Sequence, residues 1–160
     1  MLNAIPPHLG PAISILNVSP IETDHRSLKS IVGHTNWSLH RAPCLLSAAA
    51  LLRDIPISVI LCDCDLQPGK WTDLLKEAAT FPVPPPLIVA TRPTENVPWG
   101  EVLNLGGYDL LRKPFAPSEV LHVVSLAWWH WHRSSGFPAE SPAPITTSSP
   151  LCHFVNVGSA

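Results

Sequence analysis

The chain is short of charge. Acidic and basic residues make up 14% of its 160 residues, twelve Asp and Glu against ten Lys and Arg, for a formal net charge of −2. A nucleic-acid partner needs a basic stripe to meet phosphate, and this balance supplies none, so DNA and RNA are excluded as partners. Long apolar runs are also missing. The longest helix-like apolar stretch, residues 120–131, is too short and too rich in histidine to span a bilayer, which excludes a membrane partner. The N-terminal MLNAIPPHLGP has no positive n-region and is broken by three prolines, so it does not read as a signal peptide. The expectation is a cytoplasmic protein with Cys44, Cys62, Cys64 and Cys152 as reduced thiols. A glycine-rich phosphate turn is absent too: NVSPIE stands where a nucleotide binder would carry G-x-G-x-x-G, so no nucleotide cofactor is expected.

What the chain does have is apolar mass, 46% of its residues, in a length suited to one domain with a sizeable core. Its 19 prolines are unevenly placed. Residues 1–11 hold three; residues 134–160 hold four, with six serines and Glu140 as the only charge. Both ends are expected to be disordered, leaving a compact unit over residues 12–133. Within the C-terminal stretch, LCHFVNV is apolar enough to dock, although the sequence does not say where.

Between the ends, β-like runs alternate with helix-like segments. AISILNV (12–18), NWSLHRA (36–42), ISVILC (57–62), PLIVAT (86–91) and YDLLR (108–112) read as strands. The third and fourth are continuously apolar, as befits central parallel strands covered on both faces. Helices are expected over 21–34, 44–54, 71–79, in VPWGEVLNLGG, and over 117–133, where Pro117-Ser118 makes a good entrance. Five such units predict an α/β fold, a doubly wound five-stranded parallel sheet with helices on both faces. Chemistry in such a sheet gathers at the carboxyl ends of the strands. Asp63, Thr91 and Lys113 each fall at such an end.

VILCDCDLQPG, LIVAT and GGYDLLRKPFAPSEV, at these separations and in this order, resemble the receiver domain of two-component response regulators. The resemblance covers about residues 12–133 and implies the flavodoxin-like strand order 2-1-3-4-5. It also implies that Asp63 is the aspartate that accepts a phosphoryl group from a sensor histidine kinase. Thr91 would then bond a phosphoryl oxygen, and Lys113 would pair with the acceptor carboxylate and later with its phosphate. A carboxylate makes an acyl phosphate readily only when a metal and a cation neutralise the developing charge. The resemblance therefore implies Mg²⁺, with Asp63 and Asp65 as ligands, the latter through its peptide carbonyl.

The chain departs from that pattern after its first strand, where the family's acidic pair is replaced by Ser19-Pro20. Mg²⁺ is a hard cation held by carboxylate charge, so this loop makes a poor ligand set. Ser19, Pro20 and Glu22 have their own local reading as a capping box with Ser19 at the N-cap. On that reading Lys113 alone balances Asp63, although Glu22, Asp24 or the Asp65 side chain could serve as replacement ligands. Arg92 follows Thr91 where a small residue is usual, either crowding a phosphodonor or adding a cation. Leu110 stands in place of the aromatic that swings inward on phosphorylation.

The other conspicuous residues have plainer readings. Cys62-x-Cys64 lacks a second ligand pair, so packing thiols are expected rather than zinc. Trp128 and Trp131 lie on the core stripe of the last helix, while Leu126 and Trp129 lie off it and offer a partner contact or a homodimer face. Trp37 and Trp71 are expected to cap the sheet. Two functions remain open, neither enzymatic: a stand-alone phosphorelay receiver phosphorylated at Asp63, or a pseudo-receiver that acts only by binding.

Overall fold

The computed structural model describes residues 11–136. Five parallel strands run in the order β2-β1-β3-β4-β5: β1 Ser14–Val18, β2 Ser38–Ala42, β3 Val59–Asp63, β4 Leu87–Thr91 and β5 Asp109–Arg112. Between and after them come α1 Glu22–Val32, α2 Leu45–Asp54, α3 Trp71–Ala78, α4 Trp99–Asn104 and α5 Pro117–Ser134. This is the expected α/β sheet in the expected order. Among the described residues, no helix is long and apolar enough to cross a membrane.

Strand parity divides the core. Leu16, Ile60, Cys62, Leu87 and Val89 pack with Ala48 and Leu52 of α2, Leu74 of α3 and Val102 of α4. Their neighbours of opposite parity, Ile15, Val59, Leu61, Ile88 and Leu111, pack with Leu28 of α1 and Val120, Val124 and Ala127 of α5. Because side chains alternate across a strand, Asp63 and Lys113 continue the parity of Leu61 and Leu111 and fall on the α1 side. Every residue of β3 and β4 is buried. That double burial is why both strands are unbroken apolar runs in sequence.

Two expectations about local structure need revision. The capping box at Ser19 does not form: the N-cap of α1 is Ile21, and no side chain caps it. Instead the Ile21 N–H donates to Ser19 Oγ at 3.1 Å, and Glu22 turns outward to pair with Arg41. Proline at position 20 carries no N–H, so the first donor available to that hydroxyl is at 21. Trp71 is no sheet cap but the first residue of α3, buried within the core. Trp37 is half-buried ahead of β2 against the α1/α5 side.

At the α4–β5 junction the backbone approaches closely. Gly106 has φ +103°, which favours glycine. A Cβ on Gly107 would sit 2.5 Å from Val102 Cγ1 and 2.9 Å from the Val102 carbonyl oxygen. Val102 is itself fully buried, so neither group can yield cheaply. Gly107→Ala should therefore cost about 1–3 kcal/mol by overpacking, read as a lower midpoint in urea unfolding. An unchanged midpoint would show that the junction relaxes.

Candidate functional site

Three strands and one helix build the site. Asp63 ends β3 and is 1% exposed. Lys113 follows β5, its N–H bonded to the Thr91 carbonyl at 2.7 Å, and it is buried as well. Its ammonium donates to Asp63 Oδ2 at 2.7 Å and to Asp24 Oδ2 at 2.5 Å. Asp24 lies in the first turn of α1 and is buried. The Ser19 hydroxyl, just past β1, lies 2.8 Å from Asp24 Oδ2 and 3.3 Å from Asp63 Oδ2. A hydroxyl has one proton, so the shorter contact takes it and Ser19 bonds chiefly Asp24.

The loop that places Ser19 is pinned by two more buried polar groups. His25 Nε2 donates to the Ser19 carbonyl at 2.8 Å, and its Nδ1 accepts from the Asn17 side-chain amide at 2.8 Å.

Electrostatics correct the view that Lys113 balances a single acid. Two carboxylates share one ammonium, which leaves one uncompensated negative charge in a buried pocket. Burial alone would depress the Lys113 pKa. Hydrogen bonds and charge from Asp24 and Asp63 outweigh that and hold it above its ordinary value.

At the rim, Asp65 is exposed: its N–H reaches Asp63 Oδ1 at 3.2 Å, while its carboxylate lies 3.9 Å from Arg92. Arg92 does not crowd the pocket, since Glu95 holds its guanidinium at 3.1 Å and its N–H at 2.7 Å. Glu95 also accepts from the Cys64 thiol at 2.9 Å. Burial works to raise the Glu95 pKa, but hydrogen bonds from the Arg92 N–H and Cys64, with the Arg92 charge, bring it below the usual range. Burial and the Glu95 carboxylate push the Cys64 thiol up to about 12. Burial pushes Cys62 up too, within the core.

Of the residues singled out in the sequence, Asp63 and Lys113 meet directly. Thr91 is buried at the end of β4 and joins them through its carbonyl; among the described residues its hydroxyl bonds neither. Leu110 is half-buried against the α2/α3 side of the core. Asp24 is a full member of the site, although the sequence offered it only as one replacement ligand among several. Its position was a usable signal: Asp24, Leu28 and Val32 repeat every four residues on the buried stripe of α1, and an acid there needs a partner. Glu95 was missed because the segment between β4 and α4 has no periodicity to read.

Donor chemistry offers two sets for a cation. Asp24, Asp63 and the Ser19 hydroxyl are hard oxygen donors around a pocket carrying net negative charge, and they fit a hard dication. Asp63, Cys64 and Glu95 have ligand atoms within 4.8 Å of one another. A thiol with so high a pKa suits Mg²⁺ poorly.

Removing the ammonium would leave two buried carboxylates facing each other. Lys113→Met should cost about 3 kcal/mol or more in denaturant unfolding, and Asp24→Asn in the same chain should recover part of it. The folded Lys113 pKa is raised, so its contribution is complete below the unfolded lysine value of about 10.4. Stability is then lost as pH rises through the folded pKa. Wild type should show this alkaline loss and Lys113→Met should not; identical profiles would overturn the assignment.

No protein-family model and no curated protein matches the chain. Solved structures do. The signal receiver domain of a LuxO repressor protein from Vibrio parahaemolyticus superposes with a TM-score of 0.70 at 17% identity, covering 78% of this chain and 96% of that one. The signal receiver domain of an HD-domain-containing protein from Pseudomonas fluorescens gives 0.69 at 22%, covering 77% and 99%. A response regulator from Chloroflexus aurantiacus gives 0.68 at 20%, covering 74% and 99%. With its strand order and the buried Asp24, Asp63 and Lys113 at the sheet's carboxyl edge, the chain has the response-regulator receiver fold.

Proposed function

We propose that the chain is a receiver domain of phosphorelay signalling, with Asp63 as the phosphoacceptor. The observation that carries this reading is the Lys113 ammonium 2.7 Å from Asp63 Oδ2, in a buried pocket at the carboxyl edge of the sheet. Oδ2 is held by Lys113, whereas among the described residues Oδ1 takes the longer bond from the Asp65 N–H, so Oδ1 is the nucleophile. It forms the O–P bond as the donor's P–N or P–O bond breaks, the leaving group takes a proton from solvent, and Lys113 meets the new phosphoryl charge. The Thr91 hydroxyl is the group on β4 to bond a phosphoryl oxygen. Asp24 and Asp63 would hold Mg²⁺, which neutralises phosphoryl charge when bound. The donor is a sensor histidine kinase and the setting is cytoplasmic.

A second reading, a pseudo-receiver that is never phosphorylated, is favoured by two observations: Asp63 is 1% exposed behind Lys113, and Ser19-Pro20 offers no carboxylate. Incubation with phosphoramidate and Mg²⁺ followed by intact-mass analysis separates the two. Phosphotransfer gives one added phosphate, absent in Asp63→Asn and formed at least about tenfold more slowly in Asp24→Asn. No added mass under conditions that label an ordinary receiver would leave only the pseudo-receiver.

Under either reading the output is a surface. Leu126 and Trp129 of α5 are 42% and 36% exposed, and the Arg133 guanidinium lies 5.8 Å over the Trp129 ring. Aromatic and arginine side chains anchor interfaces, so this helix is the contact for a signalling partner or a second copy. Sedimentation should show dimers that Trp129→Ala converts to monomers. Monomers in both would remove the homodimer.

A further inference from the structure

The edge of the sheet opposite the acidic pocket carries an apolar groove that neither reading uses. It lies where β3 and β4 begin, has a volume of about 200 Å³, and is lined among others by Leu52, Ile55, Phe81, Val83, Pro85 and Trp131. Among the described residues, no charged or amide side chain lines it. Pro85 also lines a second hollow of about 420 Å³ reaching Gly106 and Tyr108, so the apolar surface continues along this edge.

We propose that residues 151–157 of this chain, Leu-Cys-His-Phe-Val-Asn-Val, are the groove's occupant. The exit point of the chain is the first reason. α5 runs antiparallel to the strands and ends at this edge, with Trp131 in its last turn lining the groove and its indole N–H donating to the Val83 carbonyl at 3.3 Å. The chain leaves the described domain at Gly136, five residues beyond Trp131.

Length is the second reason. Residues 137–150 make a 14-residue tether. Fully extended it spans about 50 Å, and as a flexible coil about 20 Å. Either covers the groove, so a segment on this tether meets it at an effective concentration on the order of millimolar. A free partner would have to exceed that to compete.

Chemistry is the third. The segment carries Leu151, Phe154, Val155 and Val157 with no Asp, Glu, Lys or Arg, matching an uncharged groove. The tether itself has four prolines, half of its residues are Ser, Thr or Ala, and Phe137 and Ile145 are its only large apolar side chains. The apolar residues become dense at 151–157, where the chain is long enough to reach back.

Hydrogen exchange on the full chain, read on peptides covering 151–157 and 81–86, tests this. Both peptides should be protected in wild type. Protection at 151–157 should fall about tenfold or more in Val83→Asp. In Phe154→Asp, which leaves the described domain untouched, peptide 81–86 should lose protection as well. Exchange of 151–157 at its unstructured rate in wild type would overturn the proposal. So would protection that survives both substitutions, or that grows with protein concentration, the signature of a second copy in the groove.

Discussion

One ammonium between two buried carboxylates organises the carboxyl edge of this molecule. Lys113 leaves β5, Asp63 ends β3 and Asp24 sits in the first turn of α1, and the amine bonds both acids at 2.5 and 2.7 Å. Burying any of the three alone would cost several kcal/mol, so each is tolerable only because the others are there. The contact therefore fixes where α1 sits over the sheet as well as the geometry of the acid itself. Formally it sets two carboxylates against one ammonium.

The parts of this arrangement that were legible in sequence obey long-range rules. ISVILC and PLIVAT could only be strands covered on both faces, and the residue after such a strand in a parallel sheet has to fall on the carboxyl edge. That rule places Asp63 after ISVILC, and Lys113 falls at the same edge after YDLLR. Ser19 was misread because a local rule was applied where a tertiary one won. Ser-Pro-x-Glu is a sound capping pattern, but here the hydroxyl donates to the buried Asp24 carboxylate while it accepts from the Ile21 N–H, so it is held in the pocket rather than one turn into the helix. Glu95 obeys no periodic rule, and its place follows only from the fold of the segment between β4 and α4, which brings it to Cys64 and Arg92.

The two edges of the sheet differ in kind. At the carboxyl edge the polar groups are buried, charged and mutually bonded. At the opposite edge the prolines ahead of β3 and β4 remove N–H donors and leave an apolar surface. Such a surface gains nothing from charge and is specific only by shape and by whatever is tethered nearby. A domain built this way can change charge at one edge while the other stays chemically constant.

The turn between β1 and α1 shows how the acid pocket persists without acids in its loop. Proline at position 20 stiffens the chain and removes a donor, and Ser19 offers only a neutral oxygen. The carboxylate comes instead from one helical turn further on, where Asp24 projects back toward the start of α1, the direction helical side chains take. For that to work the loop must not drift. Asn17 within β1 and His25 beside Asp24 supply the brace, one bonding the other, and His25 holding the Ser19 carbonyl. Two further polar residues are thus buried beside the apolar residues of β1 and α1. The packing they give up is the clearest sign that the position of Ser19 and Asp24, rather than the stability of α1, is what this part of the sequence specifies.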